Sequence, residues 1–264
     1  MKKNLETVIC KNCSNKFQGY YCNICGQKVI KSRFTFRIFI IDAIESAFNL
    51  ENGFFFTIQQ LLKNPGKVLI EYLNGRTKDY YNPIIFLILL VGLSALITVM
   101  SNSFDNSIQY TTDLTNNITE LPKVQDPFVI KIQSFLKSYL NVFMILFVPF
   151  YTIGFRLLFS RSKLYYTEHL IINCYAFGTV TLIGIVAAGI LIFIPNTTGI
   201  EAIIGWLILI SIYPYFYHKV TEKSFIGSFF LSILSMIIGL VLFMTIFMII
   251  AYAILIVMKK LGMA

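Results

Sequence analysis

The sequence predicts an all-α polytopic membrane protein of about five transmembrane helices, preceded by interfacial amphipathic helices and a small cysteine-rich head. Three observations carry this reading. The 264 residues are 56% hydrophobic, with a mean hydropathy of +0.72. Only 13% are charged, about half of the ~25% usual in soluble domains. Apolar runs of about 18 residues or more, long enough to cross a bilayer as helices, recur through the later part of the chain. A soluble globular domain, a disordered chain and a disulfide-stapled secreted domain are excluded on this basis. Polar residues follow Met1-Lys2-Lys3 rather than an apolar segment, so no cleavable signal peptide is expected.

Composition divides the chain into a polar head, residues 1–33, an amphipathic basic stretch, 34–82, and an apolar domain, 83–264. In the second part, Ile40, Ile41, Ile44, Ala47 and Phe48 recur at helical spacing opposite Asp42, Glu45, Ser46 and Asn49. Asn52-Gly53 marks a turn, and a helix is expected over 54–63. Asn64-Pro65-Gly66 then starts a short helix over 67–73, which Asn74-Gly75 ends. These pieces are too short and too polar to span. They lie either in the headgroup plane or as a hairpin packed on the spans, with Lys63, Lys67, Arg76 and Lys78 as headgroup contacts.

Spans are expected over 83–100, 138–159, 168–194, 202–217 and 225–258. Asn82 caps the first, with Pro83 where a missing N–H costs nothing. Pro149 should kink the second, Pro195 ends the third, and the fourth carries Trp206, the single tryptophan. The last run is read as one tilted helix in preference to a two-pass hairpin, whose arms would be short. Residues 1–82 hold 12 Lys and Arg, 156–163 hold 3, 218–223 hold 2, and the remainder of the chain holds 5. Positive charge stays on the cytoplasmic side, which places the N-terminus inside and the Asn- and Thr-rich loop 101–126 outside. Lys259-Lys260 is the misfit to that scheme. Tyr80, Tyr81, Tyr165, Tyr166, Tyr213, Tyr215 and Tyr217 fall at the cytoplasmic span ends as an interfacial belt.

The head contains two Cys-x2-Cys pairs, Cys10 with Cys13 and Cys22 with Cys25, eight residues apart. Each pair can wrap a turn around one metal, and two pairs supply the four thiolates of a closed structural Zn²⁺ site. Gly26 gives the second turn backbone freedom, with Ser14 at the equivalent place in the first. Phe17, Tyr20 and Tyr21 are the expected core of this minimal ribbon, which depends on its metal to fold. An iron–sulfur cluster could use the same ligands, whereas disulfides and a redox dithiol fit a cytosolic, scaffold-free segment less well. Cys174 reads as packing.

Certain residues resemble a family. Cys22-Asn23-Ile24-Cys25-Gly26-Gln27-Lys28, Phe48-Asn49-Leu50, and the pattern running from Leu62 and Pro65-Gly66-Lys67 through Glu71-Tyr72-Leu73 and Gly75-Arg76 to Pro83 carry it. So does Tyr165-Tyr166-Thr167-Glu168-His169-Leu170. Together they resemble bacterial membrane proteins catalogued as domain of unknown function 3667. The resemblance implies an N-terminal zinc ribbon on a helical domain in a bacterial inner membrane, and it implies no activity.

Within the spans, Glu168 and His169 follow Arg156, Arg161 and Lys163, so a polar membrane-boundary site of Arg156, Glu168 and His169 is one expectation. The plainer one is a charged helix start, with Glu168 complementing the helix dipole. Metalloprotease, phosphate-loop and serine-hydrolase motifs are missing, so no enzyme is expected. The leading functional reading is a scaffold or adaptor whose cytosolic zinc ribbon docks a cytosolic or membrane protein, with the spans as anchor and as an assembly surface for copies of the chain. A small transporter, channel or lipid-handling protein comes second. A nucleic-acid sensor using the basic head ranks last.

Overall fold

The computed structural model describes residues 7–30, 33–47, 53–100, 127–191 and 198–260. Phe48-Asn49-Leu50, the loop 101–126, Pro195 and the tail bearing Lys2 and Lys3 lie outside the described residues, as do the side chains of Lys259 and Lys260. A short antiparallel pair, β1 (Thr7–Ile9) and β2 (Lys16–Gln18), is followed by α1 (Phe36–Ala47), α2 (Phe54–Lys63), α3 (Pro65–Leu73) and α4 (Pro83–Met100). After these come α5 (Pro127–Leu158), a single 3-10 turn (Ser160–Ser162), α6 (Tyr166–Leu191), α7 (Thr198–Thr221) and α8 (Phe225–Lys260).

Local chemistry sets several of these boundaries. Asn82 Oδ1 accepts from the Ile84 amide at 3.0 Å and Pro83 opens α4. Asn64 Oδ1 accepts from the Lys67 amide at 3.2 Å with Pro65 at the first position of α3. α5 begins at Pro127 rather than at residue 138, and Pro149 sits inside it. The final apolar run is one unbroken helix, which sets aside the hairpin alternative. At ~1.5 Å per residue it is far longer than a ~30 Å hydrocarbon layer is thick.

Helix α6 is the centre of the bundle. It packs against α4, α5 and α7, while α5 and α7 both pack against α8. More than half of the apolar window of α6 is buried, against about a fifth for α7 and α8. Along α5, a Cβ at Gly154 would fall 2.2 Å from the Ser235 carbonyl oxygen of α8, so the two helices meet backbone to backbone there. Outward faces are apolar: Ile226, Phe230, Val241, Met248 and Ile249 of α8 are all more than half exposed. Water would not tolerate so long an apolar stripe, and lipid would cover it. Among the described residues, three helices are long and apolar enough to cross a membrane, over Tyr166–Ile190, Ile203–Thr221 and Phe225–Ile250. Shorter apolar stretches, Pro83–Thr98 and Phe143–Leu158, lie on α4 and α5.

The short helices α2 and α3 pack on one end of this bundle, α3 against α6 and α7. Leu61, Val68, Leu69 and Tyr72 are buried there, and the Thr57 hydroxyl accepts from the Tyr81 amide at 2.8 Å. α1 buries Phe39 and Ala43 and turns Asp42 inward, leaving Ile41 and Ile44 exposed. The reason is polar: Asp42 Oδ2 accepts from Asn82 Nδ2 at 2.8 Å and from the Tyr72 hydroxyl at 3.3 Å. The expected tyrosine belt is also partly a core. Tyr81, Tyr213 and Tyr217 are enclosed, Tyr217 against Phe155 and Phe159 with ring centroids 4.2 and 4.5 Å apart.

Burial pushes the Asp42 carboxyl above its ordinary value, against the pull of its two donors. A raised folded-state value means that ionisation opposes folding: the penalty is absent below the unfolded value near ~3.9 and complete above the folded one. Asp42→Asn keeps the acceptor oxygen and removes the charge. It should melt at or above the wild-type temperature at neutral pH, with the gap closing as the solution is acidified below about pH 4. Asp42→Ala should lose about 1–3 kcal/mol at every pH, because Asn82 and Tyr72 are left without an acceptor. Thermal melts of the detergent-solubilised chain across pH check both.

Candidate metal centre and its clamp

The two cysteine pairs fold into two turns of the same kind. The Ser14 amide donates to the Cys10 carbonyl at 2.9 Å, and the Gly26 amide donates to the Cys22 carbonyl at 2.9 Å. Ser14 and Gly26 take the left-handed conformation, φ 60 and 71, which the second position meets with glycine. Both turns are closed on the far side by Cys10 N–H to Asn15 at 2.8 Å and Cys22 N–H to Gln27 at 2.9 Å. The first turn is the loop of the β1–β2 hairpin, whose register pairs Val8 with Phe17.

Four sulfurs converge as a result. The Sγ atoms of Cys10, Cys13, Cys22 and Cys25 lie within 4.8 Å of one another, with Cys10–Cys25 and Cys13–Cys22 both at 3.5 Å. A tetrahedron of sulfurs at a metal distance of ~2.3 Å has edges of about 3.8 Å, so the cluster fits a four-thiolate ion. These spacings are far beyond a disulfide bond, and all four cysteines are free. Amides of Cys25 and Ile24 aimed at Cys22 hold its thiol down to about 6. At Cys13 the Asn15 amide pulls the same way, yet loss of water and the neighbouring sulfurs push it up to about 12. Cys22 ionises readily and Cys13 resists ionising beside it, the pattern a cation would relieve.

Phe17 closes the interior of the ribbon with Val29, whereas Tyr20 and Tyr21 are 66% and 57% exposed. The sulfurs fill the space that the tyrosines were expected to occupy.

The ribbon does not hang free. Asn12, at the tip of the first turn, accepts from Arg76 Nε at 2.9 Å and donates to Asp79 Oδ1 at 3.2 Å. Gln27, just past the second turn, is buried; its oxygen accepts from the amides of Thr77 and Lys78 at 3.2 and 2.8 Å, and its nitrogen donates to Thr77 Oγ1 at 3.0 Å. Arg76 is the hub, pairing also with Glu71 at 3.1 Å and Asp79 at 2.9 Å. The segment 74–82, which leads into α4, thus grips both metal turns. Arg76 is therefore directed at protein groups rather than at headgroups. Lys78 lies beside Gly26, while Lys63 and Lys67 line a cleft between α2, α3 and α7.

The expected boundary site is distributed differently. Glu168 is buried and joins Arg33 through two hydrogen bonds, Nε to Oε1 at 2.8 Å and Nη2 to Oε2. It also accepts from the Tyr165 amide at 2.8 Å, capping α6. Arg156 instead donates to the Leu164 carbonyl at 3.1 Å. His169 is enclosed and its Nδ1 lies 3.1 Å from the Tyr217 hydroxyl, which donates to Asn173 Oδ1 at 3.2 Å; Asn173 Nδ2 reaches Thr152 Oγ1 at 3.0 Å. Every group in that chain donates once only if His169 carries its proton on Nδ1. Sequence reasoning did not single out Asn12, Gln27, Asp79 or Arg33 for these roles. The one local signal was the polar Gln27 set directly after the Cys22–Gly26 turn.

If the metal organises the turns and the turns organise the clamp, removal of the ion should be felt in both. Cys13→Ser with Cys22→Ser, or chelation, should speed amide exchange in the ribbon and in residues 74–82 together. Arg76→Ala should loosen the same two segments and cost about 1–2 kcal/mol, given its partial exposure. Exchange confined to the ribbon would disprove the coupling.

Residues 51–94, which hold α2, α3, the clamp segment and the start of α4, match the family model described as Protein of unknown function (DUF3667). No curated protein and no solved structure matches the chain. Over that stretch the chain is similar to the DUF3667 family, in keeping with its Pro65-Gly66 and Gly75-Arg76 pattern.

Proposed function

We propose that this chain is a non-enzymatic scaffold of a bacterial inner membrane, whose zinc-organised cytoplasmic head is a rigid docking module for a protein partner. The observation that carries it is the clamp: both metal turns are fixed to segment 74–82, so the head has one orientation on the bundle. The opposite edge of the head leaves Tyr20 and Ile24 66% and 70% exposed. Exposed aromatic and aliphatic side chains on a rigid platform are the usual anchors of protein recognition. Zn²⁺ is the ion favoured by four thiolates in two short turns. In this reading α4 and α5 cross the bilayer beside the three longer spans, giving five crossings.

The basic head, the 156–163 loop and the 218–223 loop gather at one end of the bundle, where Arg33 meets Glu168 and α3 meets α7. The positive-inside rule makes that end cytoplasmic. The test combines metal analysis with capture from native membranes. The purified chain should carry about one zinc per copy, and Tyr20→Ala with Ile24→Ala should abolish partner capture without loss of zinc or of membrane insertion. Thiol labelling of the head from outside intact cells, or capture indifferent to both substitutions, would contradict the reading.

A further inference from the structure

An open cleft of about 580 Å³ lies between the end of α2, the start of α3 and the end of α7. Three ammonium groups share it: Lys63 and Lys67, from the family-matched segment, and Lys219 of α7. Gly66 makes the third possible. It is buried, and a Cβ there would fall 2.8 Å from Lys219 Cγ, so only glycine lets the Lys219 stem lie across the first turn of α3. The Lys219 ammonium then rides 5.6 Å from the centre of the Tyr215 ring. Among the described residues one acid lines the cleft, Glu71; it pairs with Lys67 at 3.8 Å but is shared with Arg76 at 3.1 Å and with the Tyr80 hydroxyl at 2.6 Å, so it offsets only part of the charge of three lysines. The lysines are therefore left with a surplus of positive charge.

We infer that this cleft binds the phosphate of an anionic phospholipid headgroup. Its place in the fold favours lipid over a free anion. Tyr215 and Lys219 stand in the last turns of the apolar window Ile203–Thr221, where a bilayer surface would lie. Apolar side chains are exposed there too, Ile70 in the lining itself and Leu62 next to Lys63 on α2. A headgroup held by Lys63, Lys67 and Lys219 would keep its acyl chains against those residues and its phosphate between the lysines. The inference rests on the membrane reading and not on the metal centre or on a docking partner.

The test uses the full chain in neutral-detergent micelles containing phosphatidylglycerol and phosphatidylcholine, with retained lipid read by native mass spectrometry. Phosphatidylglycerol should be retained in preference. The triple variant K63Q/K67Q/K219Q should lower that preference by about tenfold or more, with an unchanged melting temperature and unchanged phosphatidylcholine retention. K16Q/R161Q/K163Q, which removes equal charge elsewhere, should leave the preference intact. An equal loss in the control, an undiminished preference in the triple variant, or abolition of the preference by excess inorganic phosphate would each overturn the lipid site. Alkaline extraction separates this from the membrane reading: a chain released from membranes sinks both, whereas a retained chain without lipid preference sinks the cleft alone.

Discussion

Arg76 is the residue on which the arrangement of the head depends. Its guanidinium meets Glu71 on α3, Asp79 in the segment before α4, and Asn12 at the tip of the first metal turn. A planar fork with several fixed donors can hold three separate elements in one geometry, which a lysine could not. Gln27 does the equivalent at the second turn through backbone amides of Thr77 and Lys78. Two small loops, each carrying two of the four sulfurs, are thereby made part of a much larger helical body. The hydrogen bonds to Arg76 also raise its already high affinity for protons, so the clamp keeps its charge under all ordinary conditions.

The bundle beneath combines a polar interior with an apolar exterior. His169, Tyr217, Asn173 and Thr152 form a hydrogen-bonded chain linking α5, α6 and α7. Phe155 and Phe159 stack on the Tyr217 ring and shield it. In lipid the gain from burying apolar surface between helices is small, so close backbone approach and interhelical hydrogen bonds take over. The approach of α5 to α8 at Gly154 and this polar chain are the two devices available, and the chain uses both.

Several features of the fold were legible in residue order, and the misses have definite causes. Helix α2 was placed at its observed ends and the start of α4 follows from Asn82-Pro83, whereas α3 begins at Pro65, two residues before its expected start at Lys67, because proline suits the first helical position. By contrast residue order left open which side of α1 packs on protein. Apolar periodicity marks an apolar stripe but does not say that the stripe faces protein, and at a membrane surface Ile41 and Ile44 can face outward while Asp42 finds Asn82 and Tyr72. Tyr20 and Tyr21 were assigned to a ribbon core that four sulfurs and Phe17 already fill. The polar set of Arg156, Glu168 and His169 was grouped by adjacency along the chain. Folding gives Glu168 to Arg33, 135 positions away, and encloses His169 against Tyr217.

The order of residues alone determined the membrane class, the caps, and the cysteine spacing that brings four sulfurs together, because each depends on composition or on neighbours a few positions apart. Tertiary structure alone decided that the head is fastened to segment 74–82, that Arg33 answers Glu168, and that Lys219 joins Lys63 and Lys67 across Gly66. Those pairings join segments dozens to hundreds of positions apart. A charged or amide side chain carries no local sign of which distant partner will satisfy it, and only packing of the helices brings one within reach.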